Sequence, residues 1–485
     1  MISRFFAYAL VAVVIGGAAP AMAQNAAMAW TDTTSSFRPE GFFPDEDDKP
    51  ALTYRGAPKN VKQFTVGGID VIMRPTGGAN HVIAAKVFIR GGASAIPANT
   101  SPAIEELALS IPPLSGPKDM AKADYRRLID RMFIGITPTD GRDFSTMTLR
   151  CVDENFDRSW ELLTGVIMKP KYDETELRNA KSRMVSAIRN RMSSPEAYAG
   201  FIADSAFFAG HPYGRYATER EVESLTAKQL EDHYKNLFVK SRMLLVVVGN
   251  VDSADLRAKI MNSLAKLPKG SYEEPVVPVP PASRTPRVIV RQPIGGKSPT
   301  TYIVARYLAP NRDDSLYYPM LRLTSFLSGS LFREIRIERN LSYAPDADAN
   351  FGRASYGEIS MSTTLPDSAW RVAKGNVIDF FRTYVISDES MKSGLSMWVT
   401  SNYLREQTNE SQANEMGIAE IYTGSWTNAF RTFDAIQKMS AEEMAEAANR
   451  YLKNFTVAIV GDPTTVTREE YIDTFDDDDG STGYR

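Results

Sequence analysis

The sequence predicts an α+β protein of two homologous domains, each a mainly antiparallel sheet packed with helices. Three observations carry that expectation. Each half of the chain closes in the same way, the first with "LTAKQLEDHYKNLFVKSRMLLVVVGNVD" and the second with "MSAEEMAEAANRYLKNFTVAIVGDPTTV". Between them, "LPKGSYEEPVVPVPPASRTPR" around residues 267–287 is too rich in proline for a helix or a central strand and reads as a connector. Strand-like runs and long helical segments also fail to alternate strictly, which favours helices packed on sheets. A repeat at domain length indicates duplication and not a solenoid.

The elements follow in order. "MISRFFAYALVAVVIGGAAPAMAQ" has a positive residue, Arg4, an apolar core from Phe5 to Ile15, and small residues at Ala21 and Ala23. This is the pattern of a signal peptide over residues 1–23, cut between Ala23 and Gln24. An uncleaved anchor is the rival reading, but the apolar core is short and Gly and Pro precede the cut. The expected location is periplasmic or secreted. A polar segment, 24–55, precedes a first domain at 56–268. That domain opens with the strand-like runs "FTVGGIDVIMRP" and "VIAAKVFIRGGAS". Cys151, the only cysteine, lies in the alternating run "STMTLRCVDENF" and reads as a small buried apolar residue; alone it forms no intrachain disulfide. "DETELRNAKSRMVSAIRNRM" reads as a helix with Asp173 as N-cap, Glu176 in the capping-box position, and an apolar stripe of Leu177, Ala180, Met184, Ala187 and Ile188.

Thr226 with Gln229, and Ser440 with Glu443, form capping boxes that open the closing helix of each half. Apolar strands follow, Leu244 to Gly249 and Val457 to Gly461. After the connector, 269–286, the second domain at 287–465 begins with "RVIVRQP" and "TTYIVARYLAP". An acidic tail, 466–485, finishes the chain.

The 485 residues carry a net charge of −3, with no basic excess to attract nucleic acid. There are only three histidines, His81, His211 and His233, and none has a partner at metal-ligand spacing. His211 reads as a turn or helix-entry residue, and His233 as a mid-helix residue among polar neighbours.

Three stretches together are specific: "FIRGGAS", "HPYGRYATEREVESLTAKQLEDHYKNLFVKSRMLLVVVGNVD" and "FLSGSLFREIRIERNLSY". Through them the chain resembles the pitrilysin/insulinase family of zinc peptidases, the inverzincins, over about Val61 to Asp462. The resemblance implies two α+β halves that close on a peptide like a clam shell. Active members carry His-x-x-Glu-His on a helix, with a more distant Glu. Histidines at i and i+4 share a helix face and reach one zinc, and the intervening Glu serves the metal-bound water as base. By the family spacing the motif falls in "SPAIEELALSIPPLSG". Glu105 and Leu109 then stand at the two histidine positions, Ala108 at the base, and Ala187 at the distant ligand. No metal or other cofactor is expected in this chain.

Adjacent Glu105 and Glu106 point in different directions on a helix, with no third oxygen ligand evident. Their structural reading is a helix start, with Ser101 as N-cap, Pro102 at the first helical position, and acids near the positive helix end. The resemblance also implies a substrate clamp in the second half, an Arg followed seven residues later by a Tyr. Arg336 and Tyr343 in "RIERNLSY" match it, and both are donors suited to charge developing on a carbonyl oxygen.

In the resembled family some enzymes divide these parts between two chains. The expectation is therefore an exported pseudopeptidase, inactive alone, that binds peptide substrate as the heterodimeric partner of a zinc-bearing homologue. Two other roles are compatible with the residues. One is a purely structural subunit in which Arg336 and Tyr343 are relics; the other is a stand-alone peptide-binding protein that uses a sheet edge.

Overall fold

A computed structural model of the chain describes residues 56–77, 80–281, 286–392 and 406–472, with 395, 400, 403 and 404 besides. These all lie within one compact unit. The expected signal peptide, the polar segment to residue 55 and the acidic run from 473 lie outside the described residues. None of the described helices is long and apolar enough to cross a membrane.

The first sheet comprises β1 (Lys62–Val66), β2 (Ile69–Pro75), β3 (Val82–Arg90), β4 (Gly135–Thr139), β5 (Phe144–Val152) and β6 (Met243–Gly249), in the order β1-β2-β6-β3-β5-β4. Only β2 and β6 run parallel. The second comprises β7 (Arg287–Arg291), β8 (Thr301–Leu308), β9 (Asp346–Asn350), β10 (Tyr356–Thr363) and β11 (Thr456–Val460), in the order β7-β11-β8-β10-β9. Its one parallel pair is β7 with β11. Removing β1 from the first sheet gives the order and directions of the second, so the duplication extends to strand pairing. The sheets are mixed and mainly antiparallel, with helices on them, as expected.

The principal helices are α1 (Ala103–Ser110), α2 (Phe156–Met168), α3 (Glu174–Ser193), α4 (Pro195–Phe207), α5 (Ala227–Leu237), α6 (Ser253–Asn262), α7 (Tyr317–Leu331), α8 (Asn409–Thr423) and α9 (Ala441–Tyr451). Both expected capping boxes are formed, at Thr226/Gln229 and Ser440/Glu443. Two expectations at helix starts shift. Asp173 caps α3 through the Thr175 and Glu176 amides, but the Glu176 carboxylate turns to Lys122 at 2.9 Å instead of completing a box. At α1 the N-cap position falls on Pro102; Ser101 still serves the helix, its Oγ accepting from the Ala103 amide at 3.3 Å.

Each central strand is buried on both faces, and the two faces are covered by different halves of the chain. In the first sheet, Val87 and Ile89 join the core made with Leu107, Leu163 and Leu230 of the same half. Phe88 points the other way and, with Ile72, Leu244 and Val246, meets Ala413 and Met416 of α8, which comes from the second half. In the second sheet, Ile303, Val457 and Ile459 face their own core, while Val304, Ala458 and Val460 meet Ala199 and Ala203 of α4, from the first half. The halves have exchanged one helix each. Gly417 permits the close approach of α8, since a Cβ there would stand 2.2 Å from the Phe88 ring.

Polar contacts lock the exchange. Asp204 of α4 lies 3.1 Å from Arg142 and 3.1 Å from Arg306 of β8, which also pairs with Glu358 of β10 at 2.8 Å. Arg306 and Asp204 are both fully buried. Burial works to lower the Arg306 pKa, but Asp204 and Glu358 more than offset it, and the net shift is upward. Nearby, buried Asp143 accepts from the hydroxyls of Tyr213 and Tyr422 and from the Arg353 amide.

Residues 268–281 of the connector form no regular element and are strapped to both halves. The Lys240 and Ser241 amides donate to Pro268 and Lys269, the Arg242 guanidinium stacks on the Tyr272 ring, and Glu274 pairs with Arg353 at 2.6 Å. Past the expected start of the acidic tail the chain stays packed, with Tyr471 buried and stacked on Trp370.

Candidate functional site

The residues expected at the degenerate metal positions lie on two packed helices. Glu105, Ala108 and Leu109 lie on α1, and Ala187 lies half-buried on α3, which packs against α1. All three α1 residues are buried, and Ala108 and Leu109 are part of the first-half core. The Ala108 carbonyl accepts from the Tyr172 hydroxyl at 2.8 Å.

Glu105 is not a free acid at a helix end. Its Oε1 accepts from Ser145 Oγ at 2.6 Å, and its Oε2 accepts from His233 Nε2 at 3.1 Å. The mid-helix position expected for His233 holds, but its ring reaches across to α1. A carboxylate spent on a serine and a histidine, a leucine in the core, and alanines at the base and distant-ligand positions make no zinc-binding set. Among the described residues, no three His, Cys, Asp or Glu side chains converge to hold a metal. The residues do not fit zinc.

His211 and His81 have other partners. The His211 Nδ1 accepts from the Tyr213 amide at 3.0 Å, so Nε2 carries the proton and donates to the Pro278 carbonyl at 2.8 Å. It is a turn residue as expected, and its ring also fastens the connector. Burial lowers its pKa, against the Pro278 carbonyl and helped by the Arg142 charge. Exposed His81 pairs with Asp153 at 3.1 Å.

The structure brings Arg336 and Tyr343 together. After α7 the helix widens into a π-turn, Phe332–Ile337, with the Glu338 amide donating to the Arg333 carbonyl. Asn340 then adopts a left-handed φ of 51°, and the Leu341 amide closes on Ile335. This folds residue 343 back over residue 336. Arg336 donates to the Tyr343 carbonyl, and its guanidinium lies 3.9 Å from the Tyr343 ring centroid and 5.1 Å from that of Phe332.

No carboxylate pairs with Arg336 among the described residues, in contrast to its neighbours Arg333 and Arg339, which bind Glu334 and Glu338. Tyr343 is 76% exposed. A guanidinium free of acid partners beside an exposed phenol can present donors to an incoming carbonyl or carboxylate. No hydrogen bond or ion pair joins this pair to α1 among the described residues. Sequence reasoning missed Phe332, although its i, i+4 spacing to Arg336 would bring it beneath the guanidinium in any regular helix. It also missed the Glu105–His233 pair, whose members lie far apart in the chain and share no local pattern.

Comparison with known proteins gives a consistent picture. The Peptidase M16 inactive domain family matches residues 224–387. The non-peptidase homolog YmxG of Helicobacter pylori (strain ATCC 700392 / 26695) is 20% identical over 71% of this chain and 81% of its own length. A solved peptidase M16 inactive domain from Pseudomonas fluorescens superposes with a TM-score of 0.74 at 16% identity, covering 83% of this chain and 98% of that one. The periplasmic protease PqqL from Escherichia coli superposes with a TM-score of 0.72 at 13% identity, covering 92% of this chain but 51% of that protease. At such identities the two structures carry the fold alone.

Proposed function

Since this chain is an inactive homologue of the M16, or pitrilysin/insulinase, peptidases, we propose that it is the substrate-binding partner of a zinc-bearing homologue in peptide hydrolysis. One observation supports the reading: the residues expected at the zinc positions are absorbed into core and pairing, while Arg336 and Tyr343 stand together at the surface with no carboxylate paired to the guanidinium among the described residues. In the complex the partner supplies the metal and its activated water. This chain holds the peptide and directs the Arg336 guanidinium and the Tyr343 hydroxyl at the carbonyl under attack, where donors aimed at developing charge are most effective. Export to the periplasm accords with the N-terminal "MISRFFAYALVAVVIGGAAPAMAQ" pattern and with the periplasmic neighbour PqqL.

The test is steady-state cleavage of an unstructured peptide by a co-expressed zinc-bearing homologue with this chain in excess. Tyr343→Phe removes only the hydroxyl. It should lower turnover about 10²-fold or less, and lower it more than it weakens peptide binding, because the bond strengthens as charge develops. Arg336→Ala should do the same, after both variants are seen to fold and bind the partner. If both support wild-type turnover, the pair is a relic and the chain a scaffold.

The alternative of strand addition is disfavoured at one edge. The outer strand β4 carries Pro138, which offers no amide to an added peptide.

A further inference from the structure

A cleft of about 550 Å³ opens between the connector and the second domain, away from Arg336 and Tyr343. Val279 and Pro280 of the connector and the apolar Leu308 and Pro310, at the end of β8, line it. Arg450 and Tyr451, where α9 ends, line it as well. A smaller recess shares Leu308, Arg450 and Tyr451 and carries the groove on to Pro281.

The lining is fixed before any ligand arrives. His211 holds the Pro278 carbonyl, and Arg353 holds Glu274, so the connector cannot swing away without losing both contacts. Past the end of β8, the Ala309 amide donates to the Ser355 carbonyl and the Ser355 amide donates to Asn311. A preformed site loses little conformational freedom on binding.

Two charges in this cleft enter no ion pair among the described residues. Asp314 is already engaged, accepting from the Leu316 amide at 2.8 Å and from the Tyr451 hydroxyl at 3.4 Å. Asp313 beside it accepts no hydrogen bond and enters no ion pair among the described residues, and Arg450 only stacks on the Tyr451 ring at 5.5 Å. One free carboxylate and one free guanidinium in a cleft with apolar lining residues complement a ligand with an ammonium, a carboxylate and apolar side chains.

We propose that this cleft binds short free peptides with apolar side chains, the α-carboxylate on Arg450 and the α-ammonium on Asp313. The site is separate from the clamp, and the inference does not depend on the clamp's role. Carboxylate recognition by a guanidinium fork and burial of the side chains against Val279, Leu308 and Pro310 supply affinity; Asp313 sets polarity along the groove.

The test is calorimetric titration of the full chain with L-leucyl-L-leucine, its C-terminal amide, and its N-acetyl derivative. The free dipeptide should bind, and each blocked form about tenfold or more weakly, the scale of one lost charge-assisted hydrogen bond. Arg450→Gln should weaken the free dipeptide to a similar degree and leave the amide's affinity unchanged. Asp313→Asn should act in the same way, with the acetylated form indifferent. Both residues are exposed, so both variants should melt as wild type. No binding by wild type at about 10 mM dipeptide, or equal binding of free and blocked forms, overturns the proposal.

Discussion

At the scale of single residues, His211 is the most instructive. Burial lowers its pKa, so the folded chain holds this ring neutral where the unfolded chain begins to protonate it, near the ordinary value of about 6.5. The unfolded state then binds more protons, and stability rises with pH across the interval between the two values. The contribution is complete above about pH 6.5 and is lost as pH falls below it. Thermal melts of wild type and His211→Gln between pH 7.5 and 5 should show a steeper decline in wild type, because carboxylate titrations are common to both. Parallel curves would mean that the ring is protonated without cost, its Nδ1 not needed as the acceptor of the Tyr213 amide. The sequence marked His211 correctly as a turn residue, since Pro212, Tyr213 and Gly214 follow it. Its grip on Pro278 was invisible, because the connector carries no signal of where its carbonyls point. The same limit applied at Glu105. Its place in a helix was legible, and it lies in the first turn of α1, but Ser145 and His233 reach it only through the fold.

At the scale of elements, strand and helix positions were legible because burial imposes period and length. "MLLVVVG" is buried throughout as β6, and both capping boxes open their helices where Thr226 and Ser440 stand. The exchange of α4 and α8 was not legible. Ala413, Met416 and Ile421 announce an apolar face without saying which sheet it covers, and Gly417 reads only as a weak point in a helix. Its substitution sets two effects against each other. Gly417→Ala gains about 1 kcal/mol of helix propensity, but its Cβ would meet the Phe88 ring at 2.2 Å, and overpacking costs about 1–3 kcal/mol. Phe88 is a fully buried aromatic with little room to retreat, so packing should win. We expect a lower denaturation midpoint for Gly417→Ala, and recovery when Phe88→Leu is added. A midpoint at or above wild type would show that α8 has slack against the sheet.

At the scale of the whole molecule, the reciprocal helices mean that the connector is not what holds the halves together. A protease site introduced within residues 282–285 and then cut should leave both fragments in one particle by size exclusion, with separation requiring denaturant. Dissociation in native buffer would make the faces made by Phe88 with Met416, and by Ala199 with Ala458, too weak for that role. The exchange also has a consequence in time. The last strand of the first sheet ends at Gly249, but the helix that covers its outer face is not synthesised until Asn409–Thr423. At ribosomal speeds of about 5–20 residues per second, Ile72, Phe88, Leu244 and Val246 wait roughly 8–30 s for their cover. A growing chain must therefore be kept from aggregating through that interval, and a premature stop between the connector and Asn409 would release a first domain whose own sequence is intact but whose sheet remains bare on one side.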